Sequence, residues 1–378
     1  SLPEATAVLE FVAAPGAPTT VFVVQRGAIG ALALAASDSL ADQVARFRAL
    51  VEGGADAGRL ARELGAALVE PVIPLLGSGV RRIVIVPDGV LHRLTFEALR
   101  LADGAYVLER YAVGFAPSAS VLAALVDRPA GAAQASPVRL LAFGDPRSGS
   151  RGSGALRDAA AEGYLAAADA AGGLPRLKGA EREARLVARY APEADVRLGR
   201  EATAGFLKQT DLRRYRVLHF ASHAIVDDRS LAGTALVLAP SPGENGFVGA
   251  GDLAALRLEA DLVVLSACSS AGGRVTGGEG VQGLTSSIIQ AGARSVVATG
   301  WRIRDQDVVP LVDRFYAGLA AGRPVIDALQ AAKLEALRGG ASPQTWAAFM
   351  AIGNPFVTVP LRPAPPRSWW SRIVGGRP

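Results

Sequence analysis

The sequence predicts an α/β fold, a sandwich of helices around a mostly parallel sheet. Two patterns point there. Short apolar runs rich in Val, Ile and Leu, such as Ile83 to Val86 and Leu262 to Ala267, have the length and β-branching of buried strands. Between them lie segments with helical spacing of apolar residues, and strands that alternate with helices form crossovers and a parallel sheet. The 378 residues, 50% of them hydrophobic and 20% charged, suffice for one large or two ordinary domains with a sizeable core.

Along the chain, Thr19 to Val24 and Ala28 to Leu34 read as strands and Ser39 to Val51 as an amphipathic helix. A second helix is expected from Ala57 to Leu76, leading to the strand Ile83 to Val86, which stops at Pro87-Asp88-Gly89. Ser118 caps a helix that runs to Val126. The stretch from Arg128 to Pro137, rich in Pro, Ala and Gly, is the expected domain boundary, placed at Gly131. The rear part opens with a strand from Leu140 to Phe143 and a Gly- and Ser-rich loop from Pro146 to Gly154. It continues with a helix from Glu181 to Tyr190, a strand around Val196 and a helix from Ala204. Strands follow at Val217 to Ala221, Thr234 to Leu238, Leu262 to Ala267 and Ser295 to Thr299. The division is residues 1–131, 132–358 and a disordered tail over 359–378, where proline and arginine surround Trp369 and Trp370. No internal repeat is visible.

Composition narrows the function. The single cysteine, Cys268, excludes an intramolecular disulfide framework and a cysteine-based zinc cluster, and fits a reducing, cytoplasmic compartment. No apolar run is long enough for a membrane-spanning helix. The net charge of +5 is small, and the 40 basic residues, of which only Lys178, Lys208 and Lys333 are lysines, are spread rather than clustered. With 6% aromatics, this argues against a nucleic-acid partner. The chain starts Ser1-Leu2-Pro3-Glu4 with neither initiator methionine nor signal segment, as expected of a piece of a longer protein or an expression product.

The chemistry gathers at two strand ends. Val217-Leu218-His219-Phe220-Ala221-Ser222-His223 is an apolar strand ending in histidine, and Asp261-Leu262-Val263-Val264-Leu265-Ser266-Ala267-Cys268 one ending in cysteine. Reactive groups in open α/β sheets collect beyond the carboxyl ends of strands, so parallel neighbours bring imidazole and thiol to one edge. A histidine is what a thiol needs to become a thiolate near neutral pH. The two lie 45 positions apart, 223 to 268, close to the separation of about 50 found in caspases.

At these residues the chain resembles the CHAT group of caspase-like proteins, relatives of caspases and separases. The resemblance extends to Val86-Pro87-Asp88-Gly89, Leu94-Thr95-Phe96-Glu97-Ala98-Leu99, Gly278-Glu279-Gly280-Val281, Ala291-Gly292-Ala293, Gly300-Trp301-Arg302-Ile303 and Phe315-Tyr316, covering most of residues 80 to 355. It implies a caspase-like three-layer sandwich in which a pseudo-caspase front half supports an active rear half. It also implies upstream helical repeats, often tetratricopeptide repeats, that sense a regulatory partner. Cys268 would be the nucleophile of a cysteine endopeptidase acting on a protein substrate, and His223 its base. The backbone N–H groups of Cys268 and Ala224 would meet the oxyanion, with alanine where many caspase relatives have glycine. No cofactor is implied.

Plainer readings stand beside these. A lone cysteine at a strand end is commonly a small core residue, and a silent protein-interaction scaffold would keep the same fold; a small-thioester hydrolase or acyltransferase could use the same dyad. His219, four positions before His223 on what reads as one strand, falls on the same face unless a bulge intervenes, and reads as a packed, hydrogen-bonded neighbour. His92 follows a turn and reads as structural or surface-exposed. Asp227, Asp228 and Asp305 are candidates for holding a basic substrate side chain or for capping turns and helices. Glu279 either caps the following helix or lines the cleft. Gly278, Gly280 and Gly283 satisfy a dinucleotide fingerprint, but the ten-residue gap from the strand removes the tight turn that fingerprint requires. The three histidines, one cysteine and scattered acids form no metal set. The loop from Ser148 to Gly154 is a candidate for self-cleavage.

Overall fold

A computed structural model describes residues 2–13, 18–36, 40–128, 138–147, 163, 164, 166, 174–227, 231–267, 270–276 and 280–362. The expected boundary at Gly131, the loop from Ser148 to Gly154 and the tail from residue 363 onward lie outside the described residues.

One sheet of eleven strands organises the chain. In chain order the strands are β1 (Thr6–Val12), β2 (Pro18–Gln25), β3 (Ala28–Ala36), β4 (Arg82–Val86), β5 (Ala112–Phe115), β6 (Arg139–Gly144), β7 (Glu193–Leu198) and β8 (Val217–Ala221). A second group comprises β9 (His223–Ile225), β10 (Ala235–Val237), β11 (Phe247–Gly249), β12 (Leu262–Ser266), β13 (Arg274–Thr276), β14 (Gly280–Gln282), β15 (Ser295–Thr299) and β16 (Phe349–Gly353). The large sheet runs β3-β2-β1-β4-β5-β16-β15-β12-β8-β6-β7. It is parallel except where β1, β2 and β3 form a meander and where β16 lies antiparallel to β15. Strands β9 to β11 form a separate three-stranded sheet, and β13 pairs with β14.

Strand periodicity assigns each residue to a face. Leu140 and Ala142 of β6, Val217 of β8, and Leu262 and Val264 of β12 face one layer. Leu141, Phe143, Leu218, Phe220, Val263 and Leu265 face the other. The residues are apolar on both sides because both faces are covered, as parallel sheets require. The first layer contains the helices Leu40–Glu52, Gly58–Leu68, Lys178–Val187, Asp305–Ala320 and Val325–Arg338. The second contains Ala204–Gln209, Ala250–Ala254 and Leu284–Gln290. This three-layer architecture is the one the sequence predicts.

Local physics accounts for the differences. The single helix expected from Ala57 to Leu76 stops at Leu68 and continues as a 3₁₀ segment, Glu70–Leu75. Pro71 and Pro74 lack the N–H that an α-helix interior needs. Ser118 does cap its helix, its hydroxyl accepting the Val121 N–H at 3.1 Å. The histidine strand is two strands. It leaves the large sheet after Ala221, and His223 starts β9 in the small one.

The front strands and the rear elements are interlocked. β16, late in the chain, joins β5 to β15. Helix Val325–Arg338 packs beneath the front strands, where Asp327 takes a two-pronged bond from Arg82 at 2.8 and 2.6 Å. On the same helix Lys333, fully buried, donates to Glu97 at 2.6 Å and to the Phe349 carbonyl. Burial pushes the Glu97 carboxyl up and the Lys333 ammonium down from their ordinary values, each opposed by its partner's charge.

Lys333→Met therefore strands a buried carboxylate and should destabilise the protein by about 3–5 kcal/mol. The double change Lys333→Met with Glu97→Leu should recover most of that loss. Urea unfolding of the three proteins measures both.

Candidate active site

Parallel pairing of β8, β12 and β15 brings their carboxyl ends to one edge of the sheet. Ala221 stands opposite Ser266, and Leu265 opposite Ala298. Just past those ends, Ser222, Ser266, Ala267, Thr299 and Trp301 line one pocket, with the buried Glu183 in its wall. Ser222 precedes His223, and Ala267 precedes Cys268, so the neighbours of both predicted reactive residues share one cavity.

His223 is buried, 8% exposed, at the first position of β9, opposite Val237. Its Nε2 lies 2.6 Å from the carbonyl oxygen of Pro175. A carbonyl only accepts, so Nε2 carries the proton and donates it. Ala224 follows on β9, opposite Leu236.

Cys268 lies outside the described residues. Ala267 and Ser270, the nearest described residues on either side of it, are pinned to the end of β15. The Thr299 hydroxyl donates to the Ala267 carbonyl, and the Thr299 N–H donates to Ser270 Oγ at 2.9 Å. Ser270 Oγ donates to the Leu265 carbonyl at 2.8 Å, and the Ala271 N–H to the Thr299 carbonyl at 2.8 Å. Farther on, a Cβ at Gly283 would lie 2.4 Å from the Gly272 carbonyl oxygen. Only glycine lets the start of helix Leu284–Gln290 approach the strand-end loop this closely.

Beneath the pocket runs a buried polar chain. His219, wholly buried, lies 3.0 Å from Glu183 Oε1 through Nε2 and 3.0 Å from the Tyr316 hydroxyl through Nδ1. Burial, with Glu183 second, raises the Tyr316 phenol well above its ordinary value, so the phenol keeps its proton. It can donate to Nδ1 while Nε2–H donates to Glu183. His219 is thus the hydrogen-bonded neighbour the sequence suggests, although the break at Ser222 separates it from His223. His92 lines a different cavity, with Arg48, Thr95 and Gly300.

The acids named from sequence fare differently. The Asp227 backbone N–H donates to Thr234 Oγ1 at 3.1 Å, and the residue is not among those lining the pocket. Asp305 is the first residue of helix Asp305–Ala320, and its side chain is outside the described set. Asp228 and Glu279 also lie outside the described residues. The acid in the pocket, Glu183, is one the sequence reading passes over. Its signal is spacing: Ala180, Glu183, Ala184 and Val187 form the buried stripe of their helix, so a carboxylate there points inward. Pro175 contributes a main-chain carbonyl, which no side-chain pattern announces.

Comparison with known proteins adds a family. The CHAT domain family model matches residues 58–354. A curated relative, tetratricopeptide repeat protein 28 of Mus musculus, is 35% identical over 107 residues, 28% of this chain. The chain spans 4% of that relative's length. Among solved structures, the Saccharomyces cerevisiae separase–securin complex shares 15% identity, covering 74% of this chain and 16% of that one, with a TM-score of 0.45. The Arg-specific cysteine proteinase gingipain R shares 10% identity, covering 85% and 76%, with a TM-score of 0.46.

The buried chain makes its own prediction. Tyr316→Phe removes the donor to His219 Nδ1 and should cost about 1–3 kcal/mol, measured as a lowered urea midpoint with unchanged slope.

Proposed function

Because the chain belongs to the CHAT domain family, we propose that it is a cysteine endopeptidase whose dyad is His223 and Cys268. The observation that supports this most directly is the bond from His223 Nε2–H to the Pro175 carbonyl at 2.6 Å. It fixes the tautomer and leaves Nδ1 as the basic nitrogen of the neutral ring.

In this reading Nδ1 takes the Cys268 thiol proton, and the imidazolium keeps its Nε2–H on the electronegative Pro175 oxygen. The thiolate attacks the scissile carbonyl, and the N–H groups of Cys268 and Ala224 receive the oxyanion. The imidazolium then protonates the leaving amine as the C–N bond breaks, leaving a thioester. A water molecule, its proton taken by the same nitrogen, hydrolyses that thioester and returns the thiol. A substrate side chain entering the adjacent pocket would meet Glu183 past the apolar wall of Trp301, which suits a basic residue before the cut. The substrate is a protein, and the regulator is an upstream helical-repeat region; the relative named for tetratricopeptide repeats supports that association. The protein is placed in the cytoplasm on the ground that its one thiol works only when reduced.

A peptide library read by mass spectrometry tests the reading. Cleavage after basic residues is expected in the wild type and should vanish in Cys268→Ala. Glu183→Gln should lower the preference for a basic residue by about tenfold, the effect of losing one charge-assisted bond. If no peptide is cut, with or without a repeat-containing partner, and Cys268 is alkylated no faster than free cysteine, the protein is a scaffold.

A further inference from the structure

The carbonyl that orients His223 belongs to a short stretch without regular structure, residues 174–177, and something must hold it in place. The structure assigns that task to Asp145, a residue outside the proposed dyad and about 30 positions before Pro175. Asp145 follows the last residue of β6, and its carboxylate is 4% exposed. Oδ1 accepts the Leu177 N–H at 2.9 Å, and Oδ2 accepts Arg176 Nε at 2.9 Å and Arg176 Nη2 as well. Both residues after Pro175 are thereby tied to one buried carboxylate.

The other end of Asp145 is anchored to the strand that leads to His223. Its own N–H donates to the Ala221 carbonyl at 3.1 Å, two residues before the histidine. This requires a left-handed backbone, φ +45° at a residue that is not glycine, a conformation that persists only where surrounding contacts enforce it. The neighbouring Gly144 makes room: a Cβ there would fall 2.7 Å from Ala184 Cβ and 2.8 Å from the Ala180 carbonyl. Asp145 thus closes a loop of bonds from β8, through its own backbone and side chain, to segment 174–177 and back through Pro175 to the His223 ring. It is a positioning residue, and it acts by fixing the acceptor of Nε2–H.

The inference concerns His223 whether or not that residue is the base; its consequence for Cys268 rests on the proposed dyad. The test therefore reads the two separately. Nitrogen-15 spectra of the three histidine rings, assigned with His92→Gln, His219→Gln and His223→Gln, report the His223 tautomer and the exchange rate of its Nε2 proton. Asp145→Asn should raise that exchange rate by about tenfold, the loss expected when an oriented hydrogen bond is no longer held. Arg176→Ala, at a half-exposed side chain, should raise it by a smaller factor and serves if Asp145→Asn does not fold. Iodoacetamide labelling of Cys268, the chain's one thiol, should slow about fivefold in Asp145→Asn, toward the His223→Gln rate. An Nε2 signal unchanged in both variants overturns the inference. Equal labelling of wild type and His223→Gln overturns the dyad instead, while the spectra still decide whether Asp145 holds the ring.

Discussion

The parallel registration of β8 with β12, Ala221 against Ser266, is the constraint on which the rest of the site depends. A one-residue slip would turn every side chain of β8 to the opposite layer, taking His219 away from Glu183 and Tyr316. The two layers are apolar throughout these strands and differ in shape and in buried polar groups. The stacked rings of Phe143 and Phe220, 5.1 Å apart on one face, and the His219 network on the other hold the register. Placement of the residues at these strand ends is in this sense a by-product of core packing.

Buried charge in this protein sits where elements from distant parts of the sequence meet. Glu97 meets Lys333 across 236 positions, and Arg216 meets Asp261 just ahead of the adjacent strands β8 and β12. Arg294 adds a third group at the Asp261 site, 3.3 Å away. Desolvating such groups costs energy that hydrophobic residues of the same size would not. What they add is selectivity, because any alternative packing leaves an ion without its partner.

Much of the sheet was legible from sequence because buried parallel strands are apolar runs bounded by turn residues, as at Ile83 to Val86 and Leu262 to Ala267. The reading passed over β1 and β16, each paired on both sides, because Glu10 interrupts the first and the second is a five-residue run, Phe349–Gly353, with one β-branched residue and a terminal glycine. It treated the histidine strand as continuous, since nothing in Ala221-Ser222-His223 marks the exit from one sheet and the start of another. At the site, side-chain chemistry placed His223 and Cys268 at strand ends, but not the groups that act through the backbone. Pro175 contributes a carbonyl, and Asp145 a strained main chain. Of the acids that looked available from sequence, Asp227 does not line the pocket. The one inside the pocket, Glu183, lay within a charged stretch, Glu181 to Arg185, where only its helical phase distinguishes it.

The position of β16 bears on biogenesis. The central seam of the sheet, between β5 and β15, is filled by a strand from residues 349–353, so during synthesis the front and rear strands wait side by side, unjoined, until nearly all of the described chain has been made. Contacts of such long sequence separation form late. A nascent chain in that state presents two open sheet edges, the kind of surface that chaperones shield. The same order delays the docking of Lys333 on Glu97 and of Tyr316 on His219, so the site is assembled after translation has passed it and a partly made chain lacks the support beneath its strand ends.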